Sequence, residues 1–200
     1  MVVVLDTSLK VTMNAKIIGS GTETIILAHG FGGDQSIWDK MIPSLAQRYR
    51  VVVFDWSFSG AAKDLNDFDL DKCSSFEAFA DDLISLLVEM KLSSCVFVGH
   101  SMSGMVGCLA SIKRPDLFNK LILVGASPRY LNDEDYEGGF ELSQIQEIFV
   151  NIESNFQVWA AFFASLVVDV NDPISVEQFK GSLCRMRPDI ALLLAKTLKN

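Results

Sequence analysis

The chain is poor in histidine, in clustered positive charge and in long apolar runs. Two of its 200 residues are histidine, and the formal net charge is −8, with no basic spot denser than Lys113-Arg114 or Arg185 and Arg187. Nucleic acids and anionic membranes both reward clustered lysine and arginine, so we expect neither as a partner. The longest nearly apolar stretch, residues 158–168, is too short for a bilayer, and the first residues lack the basic segment of a signal peptide.

The cysteines do not indicate a metal site either. Cys73, Cys95, Cys108 and Cys184 show no metal-type spacing, so we expect no metal and no cofactor. Such cysteine usage fits a reducing compartment, which predicts a cytoplasmic protein with access to the nucleus. With 50% hydrophobic and 21% charged residues the composition is globular, and the length suits one domain, expected to be monomeric.

Strand and helix patterns alternate through the first 125 residues. Runs at 24–28, 50–54, 95–98 and 120–124 are continuously apolar, which is typical of a parallel sheet covered on both faces. A hairpin from residues 2–5 and 11–18 is expected before them. Helical patterns cover 34–48, 75–91 and 102–113, and Ser74 with Glu77 predicts a capping box. Together these patterns predict an α/β fold.

From Pro128 onward the patterns are helical only, at 141–151, 155–167, 175–186 and 189–198. Asp172 followed by Pro173 predicts a capped helix start. Such an insert predicts a lid over the carboxyl edge of the sheet, where α/β proteins bind ligands. We therefore divide the chain into a core at 1–127 and a helical lid at 128–200. We expect the strand at 120–124 to have no later neighbour, because no returning strand or C-terminal core segment follows the lid.

The strongest chemical signal is Ser101, which follows the apolar run 95–98 and precedes a helical pattern. A nucleophile on such a strand-to-helix turn needs small residues two positions before and after it. Gly99 meets that need, whereas Ser103 replaces the second glycine of G-x-S-x-G. The alternative is that Ser101 merely caps a helix.

The second signal is His29-Gly30-Phe31-Gly32-Gly33, directly after the run 24–28. An α/β-hydrolase places its oxyanion loop there, with backbone N–H groups as donors. We assign the donors to Phe31 and Met102. An ordinary tight turn would explain the glycines alone, but two motifs in the right order predict an α/β-hydrolase fold.

A base for Ser101 is missing. In α/β-hydrolases the acid and then the histidine follow the serine, and the sequence has no histidine after Ser101. His29 belongs to the oxyanion loop, and His100 adjoins the serine too closely to reach its hydroxyl. Acidic candidates such as Asp55, Asp169 and Asp172 have no base to orient. A Ser–Lys pair is conceivable, but no lysine lies near the elbow.

Several longer stretches resemble the plant karrikin and strigolactone receptor-hydrolases, including their D14-like branch, and a bacterial stress-regulator relative. The stretches that carry the resemblance, which covers almost the whole chain, are residues 29–36, 97–101, 126–140 and 186–192. The resemblance implies a lid of four helices, a Ser-His-Asp triad of which Ser101 alone maps here, and an F-box protein and a repressor as partners. It also implies a set of ligand-pocket residues. These are His100, Phe31, Tyr130, Phe140, Trp159, Phe163 and Phe179.

One departure from that family is Trp56-Ser57-Phe58-Ser59-Gly60, which is bulkier than the small loop usual in the receptors. It suggests a ligand different from that of the receptors, and a branch of the family without a proven hormone. Our leading hypothesis is a serine hydrolase and receptor for a small apolar lactone or butenolide, with little turnover because the triad Asp and His are missing. The alternatives are a non-catalytic truncated binder or decoy, and a plain small-molecule esterase.

Overall fold

A five-stranded sheet forms the centre of the computed structural model, which describes residues 8–62 and 75–198. The strands lie in the order β1-β3-β2-β4-β5, with β2 to β5 parallel and β1 antiparallel to β3. Their bounds are β1 (Lys16–Ile18), β2 (Thr24–Ala28), β3 (Arg50–Val53), β4 (Cys95–His100) and β5 (Phe118–Val124). The predicted parallel sheet is confirmed.

The N-terminal hairpin was predicted partly wrongly. Of residues 11–18 only β1 is extended, and the chain before it forms a short helix, α1 (Leu9–Thr12). The Glu89 carboxylate accepts hydrogen bonds from the N–H groups of Leu9 and Lys10, at 2.9 and 3.3 Å, and so satisfies the free helix N-terminus. Residues 2–5 lie outside the described residues.

The core helices follow their predicted places with one exception. The pattern at 34–48 gives a 3₁₀ turn (Gln35–Trp38) and a short helix α2 (Ile42–Leu45), because Pro43 lacks the N–H that a longer helix needs. The other core helices are α3 (Phe76–Glu89) and α4 (Met102–Lys113), and a second 3₁₀ turn (Pro115–Leu117) leads into β5. The cap of α3 is Ser75, which accepts from the Ala78 N–H at 3.2 Å; Ser74 lies outside the described residues.

Alternate residues of each central strand enter two separate apolar cores. In β2, Ile26 packs in the core shared with α3 and α4, whereas Ile25 and Leu27 pack on the opposite face with Trp38. Both faces are therefore covered, which explains why these strands are apolar at successive positions. The larger core continues into the lid helices, so sheet and lid share one buried interior.

The lid consists of α5 (Leu142–Val167), α6 (Pro173–Cys184) and α7 (Pro188–Leu198), and α5 packs against both others. Within α5 the two helices predicted at 141–151 and 155–167 are confirmed, and α5 is kinked where they meet. Its kink lies at Asn155 (φ −156°, ψ 80°), whose side chain accepts from the Val158 N–H at 3.2 Å and caps the second half. Asp172 caps α6 as predicted, accepting from the Ser175 N–H at 3.1 Å.

Strand β5 is the edge of the sheet. It pairs with β4 and with no other strand in residues 8–62 and 75–198. Its residues Ile122, Leu123 and Val124 are 41–46% exposed, so an apolar edge of the sheet faces solvent in the part of the chain that the structure describes. None of the helices in the described part of the chain is long and apolar enough to cross a membrane.

Candidate active site

Ser101 occupies the sharp turn between β4 and α4. Its backbone lies at φ +55° and ψ −128°, a region that a residue other than glycine enters only under strain. The Ser101 N–H donates to the Val124 carbonyl at 2.9 Å, and the Ser101 carbonyl accepts from the Gly104 N–H at 2.9 Å. Neighbouring backbone thus holds the strained residue from both sides, as in a nucleophile elbow.

Small residues let the elbow close this tightly. A Cβ atom added at Gly99 would lie 2.6 Å from backbone atoms of Ser103, and one added at Gly107 would lie 2.4 Å from the Phe97 ring. Both approaches are far below van der Waals contact. A Cβ atom added at Gly104 would lie 2.5 Å from the Ala126 Cβ, so the elbow needs glycine at 99, 104 and 107 and accepts serine at 103.

The predicted oxyanion donors flank Ser101. A Cβ atom at Gly30 would lie 2.7 Å from the Ser101 Cβ, so the loop that carries Phe31 is in direct contact with the serine. The N–H groups of Phe31 and Met102 donate to no acceptor within the described residues. Two unengaged backbone donors beside a nucleophile are what stabilisation of a tetrahedral oxyanion requires.

His29 is fully buried and both of its ring nitrogens are engaged. Nε2 lies 3.1 Å from the Trp56 backbone nitrogen and accepts its N–H, and this leaves Nδ1 to donate to the Gly30 carbonyl at 2.9 Å. Burial lowers the pKa of His29, and the Gly30 carbonyl and Asp55 oppose that change only in part. His29 is therefore a neutral structural residue and not a base for Ser101.

His100 lines the cavity next to Ser101. Its Nδ1 atom is buried and has no hydrogen-bond partner among the described residues, and burial lowers the pKa of its ring. A buried polar atom without a partner is costly, so this ring nitrogen is a cost of the site's geometry.

A cavity of about 710 Å³ lies between the sheet and the lid, within the size range of small-molecule sites. Ser101 lies on its wall, together with every residue predicted to bind ligand. The predicted lining residues found there are Phe31, His100, Tyr130, Phe140, Trp159, Phe163 and Phe179. Met102, predicted as an oxyanion donor, is not among the lining residues, because it is only 1% exposed and packs in the core.

The segment after β5 brings Tyr130 and Phe140 to the cavity together. The Phe140 N–H donates to the Tyr130 carbonyl at 3.1 Å, and the Asn132 side-chain oxygen accepts from the N–H groups of Gly138 and Gly139 at 2.9 and 2.8 Å. The Tyr130 hydroxyl then lies 3.2 Å from the Ser101 Oγ. Sequence reasoning named the pocket residues but missed Asn132, which shapes this turn.

The comparisons with known proteins agree with this geometry. A family model described as the alpha/beta hydrolase fold matches residues 23–157. Karrikin insensitive 2 receptor B of Petunia hybrida is 49% identical over 186 residues, which are 92% of this chain and 68% of that protein. Strigolactone esterase D14 of Arabidopsis thaliana is 43% identical over 94% of this chain and 70% of its own length. The chain belongs to this family of α/β-hydrolases.

A solved structure extends the likeness to three dimensions. The hydrolase olei00960 from Oleispira antarctica superposes with a TM-score of 0.91 at 33% identity, covering 96% of this chain and 70% of that one. The family is one of hydrolases, and its nucleophile elbow and oxyanion loop are both present here. The chain thus spans about 70% of the length of these relatives.

The aromatic departure from the receptor pattern lies in the core and not in the ligand cavity. Trp56 and Phe58 are fully buried, and neither lines the cavity. They pack with Phe79, at ring-centroid distances of 5.8 and 5.4 Å. Their bulk therefore does not reshape the ligand pocket by direct contact, and the altered ligand expected from this departure stays a prediction.

The acidic candidates serve structural roles. Asp55 is buried and accepts from the Gln35 N–H at 2.8 Å, the Gln35 amide at 2.7 Å and the Asn14 amide at 2.9 Å. Asp172 caps α6 and pairs with Lys40 at 2.8 Å. Asp169 lines the cavity. Within the described residues none of the three forms a hydrogen bond with His29 or His100.

Asp34 attaches the lid to the core through hydrogen bonds that the sequence did not predict. Asp34 is 4% exposed and accepts from Ser36, from Ser182 at 3.1 Å and from Arg185. Burial alone would raise the pKa of Asp34, but these hydrogen bonds outweigh it and hold the pKa below its ordinary value. The bond to Arg185 joins residues 151 positions apart, so no local pattern could have predicted it.

Proposed function

We propose that this family member is a hydrolase-receptor for a small apolar lactone of the butenolide type. The observation that carries the proposal is Ser101 on the wall of an aromatic cavity of about 710 Å³, between two unengaged N–H donors. The relatives named as karrikin receptor and strigolactone esterase support the ligand class.

The proposed chemistry begins with attack of the Ser101 Oγ on the lactone or ester carbonyl carbon. A C–O bond forms while the Ser101 O–H bond breaks and its proton passes to water, from which the leaving oxygen later takes one. The carbonyl electron pair moves onto oxygen, and the Phe31 and Met102 N–H groups bind that oxyanion. Collapse of the intermediate breaks the bond to the leaving oxygen, which takes up a proton, and leaves Ser101 acylated. Water then releases the acid and restores the serine.

Turnover by the 200-residue chain is proposed to be slow. Among the described residues, the side chain within hydrogen-bond distance of the Ser101 Oγ is Tyr130 and not a histidine. A serine without an imidazole beside it is not activated by a base, whereas ligand binding and oxyanion stabilisation leave residual catalysis. This feature also favours the second candidate, a binder without turnover.

The proposal includes signalling partners, an F-box protein and a repressor, in the cytoplasm and nucleus. Exposed apolar side chains on the outside of α5, in the turn after it and in the first turn of α6 support a docking surface on the lid. They are Val158, Phe162, Leu166, Val170 and Ile174.

Neighbouring phenylalanines of α5 provide the test. Phe163 lines the cavity and packs against Trp159 at a centroid distance of 5.0 Å, whereas Phe162 is 65% exposed. The affinity for an enol-ether-linked butenolide can be measured by titration calorimetry. We expect Phe163→Ala to lower this affinity about tenfold or more and Phe162→Ala to leave it unchanged. A truncated pocket aromatic loses apolar contact area on this scale.

Mass spectrometry of the same mixtures separates the candidates. Binding with an adduct on Ser101 supports the hydrolase-receptor, and binding without an adduct supports the binder. Acylation by p-nitrophenyl acetate without butenolide binding would favour a plain esterase. The proposal fails if the wild-type chain binds no butenolide.

A further inference from the structure

Trp56 lies three residues after the end of β3, in contact with His29 at the start of the oxyanion loop. It is fully buried, its ring packs edge-on against Phe54 at 4.8 Å between centroids, and it stacks on Phe58 at 6.2 Å. It does not line the ligand cavity. Any large aromatic side chain could fill this space, so packing does not explain the polar contacts of the indole.

The indole N–H of Trp56 joins the two halves of the candidate active site. It lies 3.0 Å from the His29 carbonyl oxygen, in the oxyanion loop, and 2.8 Å from the Ser103 Oγ, in the first turn of α4. The Ser103 hydroxyl in turn donates to the same His29 carbonyl. These three fully buried residues therefore form a closed set of hydrogen bonds between the loop and the elbow helix.

The backbone N–H of Trp56 binds the imidazole ring of His29, whereas the indole N–H binds the His29 carbonyl. It donates to His29 Nε2 at 3.1 Å, which fixes the proton on Nδ1, and Nδ1 donates to the Gly30 carbonyl at 2.9 Å. That carbonyl belongs to the peptide group whose N–H is the Phe31 oxyanion donor. Hydrogen bonds in series polarise one another, so each bond in this series strengthens and orients the Phe31 N–H.

We propose that Trp56 is a positioning residue that, through Ser103 and His29, holds the Phe31 and Met102 donors in register around Ser101. The inference rests on the proposed function for its kinetic consequence. It gives Ser103 a role beyond small size, because the hydroxyl that replaces the second glycine of the elbow is the acceptor that the Trp56 indole uses.

Three variants separate positioning from packing. Trp56→Phe keeps a buried ring but removes the indole N–H, and Ser103→Ala removes only the acceptor. The control is Phe79→Leu, which disturbs the same ring cluster at 5.8 Å from Trp56 without removing a hydrogen bond. Because a missing oxyanion donor costs ~10²–10³ in rate, a misplaced one should cost less, about tenfold.

The first readout is the rate of Ser101 acylation by p-nitrophenyl acetate, with Ser101→Ala as background. We expect Trp56→Phe to lower the maximal rate about tenfold and Ser103→Ala to lower it less, with half-saturation unchanged in both. Phe79→Leu should lower the unfolding temperature but not the rate. Ser103→Gly, which restores G-x-S-x-G, should be as slow as Ser103→Ala; unchanged rates in Trp56→Phe and both Ser103 variants would overturn the inference.

The second readout does not need turnover. In ¹H–¹⁵N spectra, Trp56→Phe and Ser103→Ala should shift the Phe31 amide resonance, and Phe79→Leu should leave it in place. If the wild-type chain is acylated no faster than Ser101→Ala, the proposed hydrolase chemistry fails, and the Phe31 resonance alone decides the positioning inference. An unmoved Phe31 resonance in both variants then overturns it.

Discussion

At the scale of single residues, glycine decides where the backbone segments of the site can meet. Gly99 allows β4 to lie against the first turn of α4, with no room for a Cβ atom beside the Ser103 and Gly104 backbone. Gly181 is different, since a Cβ atom there would meet nothing closer than the Arg185 Nη1 at 3.8 Å. The same residue type is thus required at one position and replaceable at the other.

Alanine at these two positions should therefore have opposite effects. We expect Gly99→Ala to lower the free energy of unfolding by about 2 kcal/mol or more, because backbone atoms cannot yield as a side chain would. Gly181→Ala lies inside α6 and should raise it by about 0.5–1 kcal/mol, since alanine is the better helix former. Urea unfolding monitored by circular dichroism checks both, and equal effects of one sign would contradict this account of the elbow.

At the scale of elements, local patterns predicted the sheet, the elbow helix and the lid, because apolar spacing and caps are contiguous in sequence. The site motifs were predictable for the same reason: His29 to Gly33 and Gly99 to Ser103 each lie within five residues. The break at Asn155 was predictable too, since a capping asparagine marks the start of a helix. Contacts such as Asp34 with Arg185, and Trp56 with Ser103, depend on the tertiary fold.

Helix α6 is attached to the core at both ends, but unequally. At its start Lys40 pairs with Asp172, and both side chains are exposed, at 68% and 41%. At its end Arg185 pairs with Asp34, whose side chain is 5% exposed and has Ser182 as a further donor. Exposed pairs contribute little because water screens them, whereas a buried carboxylate that loses a charged donor keeps its desolvation cost.

Substituting Arg185 and Lys40 in turn should show that the two ion pairs contribute unequally to stability. Arg185→Ala should destabilise the fold by about 1.5 kcal/mol, the lower end of the range for a hydrogen bond to a charged group, because the Arg185 side chain is half exposed. The substitution should also speed proteolytic cleavage in the lid. Lys40→Ala should leave both quantities unchanged within error. Thermal unfolding and limited trypsin digestion measure the two effects, and a Lys40 variant as unstable as the Arg185 variant would refute the ranking.

At the scale of the whole molecule, the two histidines link stability to pH. Burial lowers the pKa of His29 and of His100 in the folded chain below the ordinary value near 6.5. As the pH falls below that value, the two histidines take up protons in the unfolded chain but stay neutral in the folded chain. Unfolding therefore becomes more favourable. Asp34 acts in the same direction at lower pH, because its depressed pKa gives stability that is lost as its carboxylate becomes protonated.

Stability should therefore be nearly constant from pH 8 to pH 7 and decline from about pH 6.5 to pH 5. Each histidine contributes a slope of at most about 1.4 kcal/mol per pH unit, the value for uptake of one proton. His100→Asn removes one of the two groups, so its slope over this interval should be about half that of the wild-type chain. Urea unfolding at half-unit pH steps measures both slopes. A wild-type chain equally stable at pH 7 and pH 5 would mean that neither histidine stays neutral in the fold, and the assignment of His29 as a neutral hydrogen-bonding link beneath the oxyanion loop would fall with it.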